Sequence, residues 1–183
     1  MILRPFRRSL NAGTIASLYG AIVAQARLPV FYVEFGVPDT IEGRFDLLVL
    51  HLVLVLRRLS QAGERGREIG QQLFDAFCRD LDGNLREMGV GDLAVPKRMR
   101  GFGEAFYGRQ RAYLAALEAG NPAEFENTLS RNILQVEGSD DRAVYLARYG
   151  RAAVRELDAE EDAALFGGTM DFPRPEVFAD ARA

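Results

Sequence analysis

Little in this chain suits covalent or metal chemistry. Among its 183 residues there is one cysteine, Cys78, and one histidine, His51. A single cysteine excludes an intrachain disulfide and a four-cysteine zinc site, and a single histidine excludes a two-histidine metal site. Lysine is almost missing as well: Lys97 stands against 22 arginines, so the positive charge is nearly all guanidinium. Long apolar runs are lacking. The strongest, Phe45–Leu56, has ten apolar residues in twelve positions, interrupted by Asp46 and His51 and stopped by Arg57 and Arg58. A membrane span needs about 20 such residues.

What is present is a chain able to bury a core. Hydrophobic residues make up 48% and charged residues 27%, which excludes a disordered chain, and the length favours one domain. The net charge of -3 argues against a generic nucleic-acid binder and against DNA as a partner. The charge is unevenly placed. Residues 1–111 carry 16 basic and 12 acidic residues, residues 112–183 carry 7 and 14. A basic front and an acidic back mark either a polar partner surface or mutual neutralisation across the fold.

The apolar spacing is helical almost throughout. Ile15, Leu18, Tyr19, Ile22, Val23 and Ala26 form one stripe, which predicts an amphipathic first helix of the domain. Asn11, Gly13, Ser17, Tyr19 and Gly20 make the same stretch a poor signal peptide. The run Thr40–Gln61 contains no Pro and one Gly, and its Leu and Val lie on all sides, so it reads as a helix buried at the centre of a bundle, started by a capping-box-like Asp39 and Glu42. Ile69, Leu73, Phe74, Phe77, Cys78, Leu81, Leu85 and Met88 give a further helix, with Asp75–Arg79 and Asp82–Arg86 pairs outside and Gly89 and Gly91 as its stop. Pro96 opens the next, which ends at Gly120. Asn121 caps another, and Ser139 is expected to cap a last one carrying Tyr145, Tyr149 and Ala152. The expected fold is all-α, a single-domain bundle of six or seven helices around a buried central helix at about 40–61. A basic segment 1–13 precedes the helical body 14–158, and an acidic, Gly/Pro-containing tail 159–183 follows, held loosely and packing at most through Phe166, Phe172 or Phe178.

No motif rises to an enzyme claim. His51 lies in apolar sequence, where a lone histidine reads as a hydrogen-bonded core residue. Cys78 sits on a core face without a cation to activate it. Asp80-Leu81-Asp82-Gly83-Asn84 imitates a calcium loop, but Leu85 stands where Gly is needed and Gly91 where a bidentate Glu is needed. Gly101, Gly103 and Gly108 follow no strand and do not complete a dinucleotide pattern. Two stretches suit contact. Lys97, Arg98, Arg100, Arg109 and Arg111 flank Phe102, Phe106, Tyr107 and Tyr113, a composition found at protein interfaces and in RNA readers, although the aromatics also follow core periodicity. Pro29–Phe35 places Phe31, Tyr32 and Phe35 in a short connection.

Several stretches in order carry a resemblance. They are Leu18–Arg27 with Phe31-Tyr32, Gly36-Val37-Pro38-Asp39-Thr40, Gly43-Arg44-Phe45-Asp46 with Leu50-His51-Leu52 and Arg57-Arg58-Leu59, Phe74-Asp75-Ala76-Phe77 through Asp80 and Asp82 to Asn84–Leu93, and Glu104-Ala105-Phe106-Tyr107-Gly108-Arg109. Read together, over roughly residues 17–135, they resemble the ubiquinol–cytochrome c chaperone family, assembly factors of the cytochrome bc1 complex. The resemblance implies a helical, non-catalytic chaperone that binds newly made cytochrome b and takes no cofactor. It also implies a small partner subunit or the ribosome exit region as further partners. The short, arginine-rich chain looks like an alphaproteobacterial version, cytoplasmic or peripheral on the inner face of the inner membrane. On that reading Phe31, Tyr32, Arg98, Arg100, Phe106, Tyr107 and Arg109 border the client surface. Two alternatives stay open: an RNA- or ribosome-binding helical module using the same arginine–aromatic surface, and a small-molecule enzyme using His51.

Overall fold

A computed structural model describes residues 4–136 and 140–179, with side chains from Ala12 onward. All regular structure among these residues is helical. In chain order the elements are α1 (Arg4–Ala26), α2 (Val30–Val33), α3 (Ile41–Gln61), α4 (Gly63–Glu87), α5 (Val95–Glu118), α6 (Pro122–Leu129), a π-turn (Ser130–Leu134), α7 (Asp141–Ala159), α8 (Asp162–Gly167) and a 3-10 turn (Pro175–Phe178).

The all-apolar circumference of α3 dictates its place. Leu47, Val49, Leu50, Leu52, Val53 and Val55 are all fully buried, and α1, α4, α5 and α7 pack around them. A helix greasy on every side has no face to give to water, so the other helices must enclose it. Its start differs from the expected box. Thr40 is the N-cap: its backbone is extended and its hydroxyl accepts from the Gly43 N–H at 3.1 Å. Asp39 instead receives Arg44 at 2.6 Å. A cap needs its side-chain oxygen over the first turn, and Thr40, one residue nearer than Asp39, supplies it. Gly43 is required there, because a Cβ would lie 2.0 Å from the Pro38 carbonyl oxygen.

The other helices follow their stripes. Ile15, Leu18, Ile22 and Ala26 bury one face of α1. The stretch Ala12–Val33 is long and apolar enough to cross a membrane by length and composition, yet in this fold that face is spent on the bundle. α4 ends at Gly89, in the left-handed region at φ 79. Arg86 pairs with Asp82 at 2.6 Å, whereas Asp75 accepts from Gln71 rather than Arg79. Asn121 caps α6 through the Ala123 N–H. Ser139 lies outside the described residues, and the N-cap of α7 is Asp140, accepting from the Arg142 N–H at 2.8 Å.

The segment after Asp158 is packed, unlike the loose tail expected. Leu165 and Met170 are buried. Phe172 stands edge-on to His51 at 5.2 Å, Phe178 to Tyr149 at 6.1 Å, and Arg65 covers Phe166 at 4.6 Å. Thr14 donates to the Phe166 carbonyl and Gln25 to that of Pro173, so this segment is fastened to α1.

Candidate functional site

The buried polar groups come first, because a reactive centre would have to use them. His51 is wholly enclosed. Its Nδ1 lies 2.8 Å from the Leu47 carbonyl, which can only accept, so Nδ1 carries the proton and Nε2 accepts from the Tyr149 hydroxyl at 2.7 Å. Gln25 donates to the same hydroxyl at 3.1 Å. Phe31 and Phe172 wall the ring. Burial pushes the imidazole down to about 4, against a smaller opposing effect of the Leu47 carbonyl. This histidine is a neutral, doubly bonded core pin joining α1, α3 and α7. Cys78 is half-buried, and burial raises its thiol further, so it is a poor nucleophile. Among the described residues no cluster of three His, Cys, Asp or Glu side chains could hold a metal ion. Asp80 and Asp82 of the calcium-like stretch lie within α4, where Asp80 accepts from Tyr19 and Asp82 from Arg86.

Arg58, paired with Asp162 at 2.7 Å, is the buried guanidinium, and Asp46 is the buried carboxylate. Arg109 of α5 reaches it at 2.7 Å and lies over the Phe45 ring at 5.7 Å. Burial pushes the carboxyl up to about 6 even so. Arg109 therefore ties α5 to the central helix.

The surface offers what the core does not. α1, α3, α4 and the start of α5 leave a groove of about 490 Å3 between them. Val23, Phe45, Leu48, Leu81, Leu85 and Phe102 form its apolar floor and walls. Ile41 and Met88 stand on its edges, 63% and 55% exposed. Tyr32 lines it too, its hydroxyl donating to the Ala26 carbonyl at 2.7 Å and its ring lying under Arg44 at 5.2 Å. Arg27, Arg44, Asp80 and Glu87 give the groove a charged rim of both signs. An open apolar channel with a polar edge is the form of a polypeptide-binding surface.

The seven expected contact residues separate by helical face. Phe31 and Phe106 are fully buried: Phe31 packs on Phe35 and Tyr149, Phe106 on Phe74 and Phe77. Their stripes point inward, so in this fold they belong to the core and present no surface to a partner. Arg109 is held by Asp46. Tyr32 reaches the groove itself. Arg98 is exposed and precedes Phe102 by one turn on the same helix face, at the groove's α5 side. Arg100 and Tyr107 are exposed on the opposite side of α5, away from the groove, with the Tyr107 ring against Phe74 at 5.9 Å. Sequence reasoning missed Ile41, Leu81 and Met88. Periodicity assigns apolar helix residues to the core by default, and only the gap between α1, α3 and α4 shows these three facing outward.

A model of the ubiquinol-cytochrome C chaperone family matches residues 33–172, most of the chain. The chain belongs to that family. This chaperone family, not a catalytic one, is that of assembly factors of the cytochrome bc1 complex. The match begins later than the resemblance read from sequence and runs through α7 and α8, regions that reading left outside. The chain is similar to ubiquinol-cytochrome-c reductase complex assembly factor 1 of Xenopus laevis, 26% identical over 169 residues, covering 91% of this chain and 83% of that one. The crystal structure of the Cbp3 homolog from Brucella abortus superposes with a TM-score of 0.85 at 38% identity, covering 96% of this chaperone and 98% of that chain.

Proposed function

We propose that this family member is a non-catalytic assembly chaperone for the cytochrome bc1 complex that holds an apolar segment of newly synthesised cytochrome b in the groove between α1, α3 and α4. The observation that carries the reading is the pair Ile41 and Met88, large apolar side chains left in water at the edges of an apolar channel. A membrane-protein client before insertion exposes apolar helices, and burying them yields about 25 cal/mol per Å2 of apolar surface. Arg27, Arg44, Asp80 and Glu87 at the rim suit the polar ends of such a segment. Tyr32 extends the surface toward the α2 connection. The enclosed, neutral His51 speaks for binding without turnover.

The test is site-specific crosslinking in cells that make the complex. A photoreactive residue at Ile41 or Met88 captures cytochrome b, and one at the exposed Val177 does not. Ile41→Glu with Met88→Glu leaves the fold within about 0.5 kcal/mol, as surface changes do, and lowers assembled complex. Equal capture from all three positions, or full assembly with the double variant, would sink the reading.

A further inference from the structure

The turn between α4 and α5 is built unlike the rest of the surface. Leu93 at its tip is 99% exposed. It is not loosely held. The Ala94 and Val95 N–H groups both donate to the Gly91 carbonyl, at 2.8 and 3.2 Å, and the Val90 N–H donates to that of Leu85 at 3.0 Å. Val95 beneath it is buried. An ordered turn thus holds an apolar side chain out into water. Lys97, Arg98 and Arg100 follow in the first turns of α5, all exposed and, among the described residues, in no ion pair. The neighbouring acid Asp92 is committed to Arg86. Cations at a helix start oppose the helix dipole, so their placement does not serve the helix. A lone exposed leucine is ordinary. A leucine on a fixed turn beside three unpaired cations is the combination that a peripheral membrane contact uses: the apolar group enters the headgroup boundary and the cations meet anionic lipid.

We propose that the α4–α5 turn docks this protein on an anionic bilayer surface, with Leu93 inserted and Lys97, Arg98 and Arg100 against the headgroups. The inference goes beyond client holding and stands without it. Met88, which opens this turn, also edges the groove, so docking sets the groove mouth at the bilayer surface. RNA would engage the same cations but gains nothing from an aliphatic tip, since base stacking uses aromatic rings.

The chain has no tryptophan, so Leu93→Trp introduces a single fluorophore at the tip. With vesicles of phosphatidylcholine and phosphatidylglycerol its emission shifts to the blue and is quenched by brominated lipid; with phosphatidylcholine alone it does neither. Replacing each cation by Gln weakens partitioning about five-fold, and all three together about a hundred-fold. Circular dichroism verifies that the variants are folded. No shift with the anionic vesicles, or an unchanged partition constant in the folded triple variant, overturns the proposal. So does binding to an RNA oligonucleotide that ignores Leu93→Asp while vesicles are not bound.

Discussion

Two buried side chains oppose each other as the pH changes. Burial moves Asp46 from 3.8 up to about 6, with Arg109 offsetting only part. Burial moves His51 from 6.5 down to about 4. The folded protein therefore keeps a proton on Asp46 that the unfolded chain releases, and refuses one on His51 that the unfolded chain accepts. Asp46 adds stability as the pH falls through 6 toward 3.8, and His51 removes it as the pH falls from 6.5 toward 4. The two effects have opposite sign over overlapping pH ranges, so each offsets the other between neutral and mildly acid conditions. Single replacements separate them. His51→Gln gains stability between pH 7 and pH 5 relative to its own neutral value, and Asp46→Asn loses it, read as urea midpoints at the two pH values. That His51 is a core residue was legible from its apolar neighbours. That Asp46 is equally buried was not, because its partner Arg109 is distant in sequence and looked like a surface charge.

Among the helices, local chemistry was the most legible part. Asn121 and Gly89 act where their residue types imply, since capping and left-handed backbone depend on a few neighbouring atoms, while Pro96 falls one residue inside α5, which begins at Val95. The start of α3 was misread by one residue because Asp39 and Thr40 are both capable caps, and only the path of the chain over Pro38 chooses between them. That path makes two variants informative. Thr40→Ala costs about 1 kcal/mol through the lost cap. Gly43→Ala costs about 2 kcal/mol, since the new methyl meets a backbone oxygen that has no free rotation to escape by. Thermal unfolding of the two proteins, with Gly43→Ala melting lower, checks the order.

For the molecule as a whole, the all-α bundle around a buried α3 was evident from periodicity, and the groove was not. A groove is an absence between elements, set by how α1, α3 and α4 diverge, and no residue encodes it alone. The docking of residues 160–179 was hidden for a similar reason: Gly167, Gly168, Pro173 and Pro175 read as loop, while the pockets for Phe172 and Phe178 are made by α3 and α7 far away. Phe172→Ala, at a half-buried site, costs about 2 kcal/mol. It also makes the segment after Asp158 susceptible to limited proteolysis under conditions where the native protein resists, an outcome followed by mass spectrometry of the fragments.

The bonds from Thr14 to Phe166 and from Gln25 to Pro173 join positions separated by most of the chain. Translation must run past Phe178, and that stretch must clear the exit tunnel, before α1 and α7 find their last neighbours. Contacts of such long sequence separation form late. The segment after Asp158 is therefore the last to seal the fold, and a nascent copy stalled after Ala159 would carry an unsealed flank beside His51.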